Sequence, residues 1–154
     1  MNQSTRVLIS ALLVAAWLGA ALITVAVVAP GAFAVLPSRT IAGTMVGRVL
    51  PALFIAGMVI GVLVASMAGA ASRWAAAGAV VSALACLVSQ FVITPRLDRL
   101  RSEIAGPVDV LPADDARRVA FGLLHGYNVA GLGVAMLGAV ICLGFLVYAT
   151  RSRV

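Results

Sequence analysis

Acidic side chains are scarce in this chain and lysine is missing altogether. The 154 residues carry eleven basic side chains, every one an arginine, against five carboxylates, none of them before Asp98. Charged residues make up 10% of the sequence, where a soluble domain uses roughly 25%. Catalysis and ion coupling need convergent titratable groups, and the long apolar runs contain no Asp, Glu or Lys. A single histidine, no Cys-x-x-Cys and no glycine-rich phosphate loop after a strand leave no metal-ligand set and no nucleotide site. An enzyme is therefore not expected. Cys86 and Cys142 each stand in the middle of an apolar run, where a thiol serves as a small buried hydrophobe, so neither a disulfide nor a redox role is assigned. The arginines fall between the apolar runs and form no contiguous basic face; they read as anchors to lipid headgroups and argue against a nucleic-acid surface.

What the chain has in excess is apolar residues, 63% of the total. They concentrate in four runs, Val7–Ala29, Val49–Ala71, Trp74–Ile93 and Tyr127–Thr150. At about 1.5 Å per residue each run covers a hydrocarbon layer of about 30 Å, and in lipid a lone segment can pair its backbone groups only as a helix. The fold class expected is all-α: an integral membrane bundle of four transmembrane helices forming one domain over residues 1–154. The helices are placed at about 7–29, 49–71, 74–93 and 115–150, with a short interfacial helix between the third and fourth.

The first run resembles a secretory signal, since Ala32-Phe33-Ala34 follows it as a small-residue cleavage pattern. Val7–Val28 exceeds the roughly 7–15 residues of a signal core, so a retained helix is expected. Pro30, Gly31 and Pro37 are expected to interrupt the chain before Arg39, and Ser72 with Arg73 to make a tight hairpin between the second and third crossings. Thr94–Ala116, which holds every acidic residue, is expected to be the main extramembrane loop. Within it Leu97, Leu100 and Ile104 share one face, as in a helix lying at the interface. Asp114 and Asp115 favour a helix start.

Glycines recur four apart at Gly43/Gly47, Gly57/Gly61 and Gly122/Gly126, a spacing that lets helix axes approach closely, either within the bundle or against a partner chain. Threading four crossings puts Arg6, Arg73, Arg151 and Arg153 on the side of the termini. Arg39, Arg48, Arg96, Arg99, Arg101, Arg117 and Arg118 fall on the other, and this larger set favours termini outside. A multi-pass protein of a bacterial inner (cytoplasmic) membrane, both termini on one side, is the expectation. Trp74 and Tyr148 belong to one aromatic belt and Tyr127 to the opposite one, while Trp17 reads as a packing residue or lipid contact.

One polar cluster stands out. Arg48 opens the second crossing, Gln90 closes the third, and His125 with Asn128 opens the fourth, all at one depth on the long-loop side. Two readings stand. The groups form a vestibule that binds a headgroup, an anion or a cofactor, or they satisfy one another and snorkel into the interface. Imidazole is the usual axial donor to a tetrapyrrole metal, which makes His125 a candidate ligand, although no second donor accompanies it and no cofactor is expected.

The motifs Ala29-Pro30…Phe33…Leu36, Ala42-Gly43…Gly47, Gln90-Phe91…Pro95…Leu100-Arg101 and Arg118…Phe121…Leu124-His125-Gly126 resemble the transmembrane-protein-205-like domain, a family of small four-helix membrane proteins. The resemblance runs from about Val28 to Leu132 and implies architecture more than activity, with a link to drug or metal resistance in some members. Here Asn128 stands where that family places polar residues after the histidine, whereas Leu132 is apolar. The functional expectation is a non-catalytic accessory subunit of a larger membrane complex, respiratory or photosynthetic in type, with other membrane subunits or further copies as partners. The alternative is a small transporter or efflux component for a drug, metal or anion.

Overall fold

Each helix begins where a short polar side chain caps the free N–H groups of its first turn. In the computed structural model, which describes residues 2–69, 72–104 and 106–151, Asn2 accepts from the Thr5 N–H at 2.8 Å and Ser38 from Ile41 at 3.2 Å. Ser72 likewise accepts from Ala75 at 3.3 Å and Asp115 from Arg117 at 2.8 Å. The helices so started are α1 (Gln3–Val35), α2 (Arg39–Ala68), α3 (Arg73–Ile104) and α4 (Ala116–Arg151), each long and apolar enough to cross a membrane. Among the described residues no strand occurs. Ala71, the expected end of the second crossing, and Arg153 lie outside the described residues.

Two expected breaks are instead continuations. The helix runs through Pro30 as far as Val35, and the residues expected to form a separate interfacial helix are the last turns of α3. Among the described residues of the connection to α4, the one helical turn is a 3-10 turn at Val108–Val110. Proline has no N–H, and its ring collides with the carbonyl four residues back, which normally stops a helix. Here the backbone widens into a π turn before each proline, at Thr24–Val28 and Ser89–Ile93. The Ala29 N–H reaches back to the Thr24 carbonyl, and the Thr94 N–H to that of Ser89. Hydroxyls reinforce both turns: Thr24 Oγ1 donates to the Ala20 carbonyl at 2.8 Å, and Thr94 Oγ1 to the Ser89 carbonyl at 2.9 Å.

α1 packs on α2 and α4, and α3 packs on the same two, so the helices form a closed up-and-down ring in which diagonal pairs scarcely touch. Trp17, Phe54, Val64, Leu132 and Leu146 fill the middle together with many alanines. Glycine sets the spacing. A Cβ at Gly57 would lie 2.7 Å from both Cys86 Sγ and the Trp17 ring, and one at Gly61 2.8 Å from the Ala79 carbonyl. With Gly57 bare, the indole lies across α2 and its Nε1–H donates to the Leu53 carbonyl at 2.9 Å. α3 and α4 approach still more closely, because Gly78 and Gly138 face each other and a Cβ on either would meet the other's carbonyl oxygen at 2.7 Å. Outward, Leu12, Val27, Leu63, Leu84, Leu123 and Leu137 are exposed, as lipid-facing positions of such a bundle are.

A cavity at the loop end of the bundle

The ring is tight at the level of Gly57, Gly78 and Gly138 and opens towards the end away from the termini. A cavity of about 310 Å³ lies there. Its walls come from every helix: Phe33 from α1, Gly43, Gly47, Leu50 and Pro51 from α2, Thr94, Leu97 and Arg101 from α3, and Phe121, His125 and Asn128 from α4, with Val108 and Asp109 from the connection. The π turns matter here. Phe33 and Arg101 reach the cavity only because α1 and α3 continue past their prolines.

Arg101 occupies the entrance. Its guanidinium sits 5.4 Å over the Phe121 ring and 3.8 Å from Asp98, and it passes so near Gly47 that a Cβ there would be 3.3 Å from Nη1. Asp98, Asp109 and Arg39 complete the charged rim. His125 is exposed, its ring parallel to that of Phe121 with centroids 6.4 Å apart. Asn128 is 6% exposed, and its side-chain oxygen has no hydrogen-bond partner. Behind this wall, Ser89 Oγ and Gln90 Oε1 are likewise buried without partners, with the Ser89 hydroxyl pressed against Gly131. Just outside the cavity Asp115 binds Arg117 Nη2 at 2.8 Å, and the guanidinium together with the capping N–H pulls the carboxyl down to a pKa of about 2.

The polar cluster read from the sequence is therefore split. His125 and Asn128 face the cavity, whereas Arg48 is exposed and Gln90 half-buried, and neither lines it. The glycine pairs divide as well. Gly43 and Gly47 shape the cavity wall, Gly57 and Gly61 bring helices together, and a Cβ added at Gly122 or Gly126 would have nothing within 4 Å. Arg101 and Phe121 stand out in the sequence only through a family resemblance, and their place in the site is invisible in spacing because it depends on α3 meeting α4. Gly78 and Gly138 had a signal: serine and cysteine four residues on, at Ser82 and Cys142, make the same small-residue spacing as a second glycine. Among the described residues no group of three or more His, Cys, Asp or Glu side chains is placed to hold a metal ion.

A family described as a domain of unknown function, DUF4149, matches residues 12–106, more than half of the chain. The chain belongs to the DUF4149 family. The matched segment carries α1 from Leu12 onwards together with α2 and α3, while the His125 and Asn128 side of the cavity lies beyond it, on α4. No curated protein and no solved structure matches. The DUF4149 assignment and the four apolar helices mark a multi-pass membrane protein.

Proposed function

We propose that this DUF4149 protein is a non-catalytic membrane protein that holds a small amphiphile in the cavity at the loop end of its bundle. The observation that carries the reading is the cavity itself, about 310 Å³ bounded by side chains of all four helices. Apolar walls under a charged rim match a molecule with an apolar body that enters at the headgroup level. The resemblance to the transmembrane-protein-205-like domain supports the same region, because Phe33, Gly43, Gly47, Arg101, Phe121 and His125 all line this cavity. In a bacterial inner membrane with termini outside, the orientation favoured by the arginine distribution, the cavity opens to the cytoplasmic leaflet.

Native mass spectrometry of the chain extracted in mild detergent tests the reading. A retained small molecule is expected, and its loss in Gly43→Phe, which fills the cavity where a new Cβ meets nothing within 4 Å, ties it to this site. An empty wild-type chain refutes it.

A second reading, the accessory subunit of a larger complex, draws support from Gly122 and Gly126, a small-residue pair on α4 that no described helix of this chain covers. Under that reading Gly122→Ile releases the chain from a larger assembly without unfolding it, measured as apparent mass in mild detergent. Transport is less well supported. Deeper in the bundle, the cavity walled by Trp17 and Gly57 measures about 10 Å³, too small to continue a path across the membrane.

A further inference from the structure

The arginines at the loop end differ in what their guanidinium groups meet. Arg117 binds the Asp115 carboxylate at 2.8 Å, and Arg118 donates to the Leu111 carbonyl at 2.6 Å. Arg101 is more covered than Arg117, its side chain 37% exposed against 47%, yet among the described residues none of its N–H groups makes a hydrogen bond. The Asp98 carboxylate stands 3.8 Å away, beyond hydrogen-bond length, and an open pair of that kind contributes little. Phe121 attracts the charge through its ring face and Gly47 leaves room for it beside α2, but neither contact supplies a lone pair. Arg101 is thus held at the cavity as a planar fork of five donors without an acceptor. The two oxygens of a carboxylate match such a fork.

The other groups narrow the class of ligand. Of the charged side chains described at the cavity, Arg39, Asp98 and Asp109 are exposed to water and Arg101 alone is half-buried, so the least hydrated charge is a cation. A second negative charge on the ligand, as on a phosphate monoester, would face Asp98 and Asp109. Phe33, Leu50, Leu97 and Phe121 give the apolar contact. A volume of about 310 Å³ lies at the small end of the roughly 300–1,000 Å³ range of ligand pockets, enough for one ring or one chain and too little for a two-tailed lipid.

We propose that the cavity takes a monocarboxylate amphiphile, an apolar ring or chain bearing one carboxylate, with the carboxylate on the Arg101 guanidinium; this rests on the amphiphile-binding reading above. The test uses the full chain in nanodiscs of dioleoylphosphatidylcholine at neutral pH, with empty nanodiscs as the partition control. The probes are 4-hexylbenzoate, its uncharged isostere 4-hexylbenzamide, and 4-hexylbenzylammonium. The benzoate is expected to bind about tenfold more tightly than the benzamide, the worth of a charge-assisted hydrogen bond. Arg101→Gln is expected to bring benzoate and benzamide to within about twofold while benzamide binding stays unchanged, which shows the cavity intact. Arg99→Gln, exposed on the same helix and outside the cavity, is expected to leave the preference as it is. Gly43→Phe abolishes binding of both probes without touching the guanidinium. Equal binding of benzoate and benzamide, lost in Gly43→Phe, overturns the carboxylate assignment and leaves the amphiphile reading standing; it identifies water as the partner of Arg101. Preference for the ammonium, or a benzoate preference that survives Arg101→Gln or is lost in Arg99→Gln, also overturns the assignment. Absence of binding by all three probes removes both readings.

Discussion

Gly57 and Gly122 are identical residues on apolar helices, and their surroundings separate them. A methyl group on Gly57 would meet Cys86 Sγ and the Trp17 ring at 2.7 Å, so Gly57→Ala must push α1 or α3 off α2. The expected loss is about 1–3 kcal/mol, the usual cost of overpacking a core. Gly122→Ala meets nothing within 4 Å and gains helix propensity, so a change within about 0.5 kcal/mol is expected. Reversible unfolding in mixed micelles measures both, and equal effects would contradict the packing described. The spacing of four shared by these glycines could not separate them, because it reports which residues share a helix face and says nothing of what that face meets. Asn128 presents the same limit from the polar side. Its place in a cluster was legible, but its burial at the cavity depends on how all four helices pack around that space.

At the scale of the element, the starts of the third and fourth helices were legible, expected near 74 and 115 and found at Arg73 and Ala116. The first instead begins at Gln3 and the second at Arg39, ten residues before the expected 49, because the Asn2 and Ser38 caps start each helix ahead of its apolar run. Asp115 caps the fourth helix. The Arg117 guanidinium and backbone N–H hold its carboxyl at about 2, below the ordinary carboxylate range, so its contribution is complete above about pH 4 and is lost as pH falls towards 2. The protection of amides in the first turn of α4, measured against the intrinsic exchange rate at each pH, is expected to fall over that window, and in Asp115→Asn this fall is expected to be absent. The helix interiors were less legible. Pro30 read as a break and Thr94–Ala116 as a loop, yet a π turn carries each helix past its proline, its i→i−5 bonds from Ala29 to Thr24 and from Thr94 to Ser89 keeping the backbone paired up to the proline. The α3–α4 contact yields a further prediction. Gly78→Ala would put a Cβ 2.7 Å from a carbonyl oxygen and 2.8 Å from a backbone nitrogen, atoms that move only if the whole helix moves. It is expected to destabilise the bundle by about 2 kcal/mol or more, and by more than Gly57→Ala, whose neighbours are side chains.

For the whole molecule, the proposal that all four helices cross the membrane requires both ends of the chain on one side and the cavity towards the other. Single cysteines at Arg6 and Arg151 are expected to react with an impermeant maleimide from the same side of intact cells, and a cysteine at Asp109 only from the opposite side. Labelling of Arg6→Cys and Arg151→Cys from different sides would refute an even number of crossings. The expectation of four apolar helices was secure because length and hydropathy are sums over a segment, and the bilayer thickness acts on that sum irrespective of neighbours. The sequence by itself thus determined the solvent, the number of apolar helices and the end of the molecule where polar residues gather. Only the tertiary structure decided that α1 and α3 run on past their prolines, that Gly78 faces Gly138, and that Arg101, Phe121 and Asn128 enclose one space while Arg48 faces away. Each of these depends on the rotation and separation of two helices, which are set by side chains from both at once and are encoded in neither segment alone.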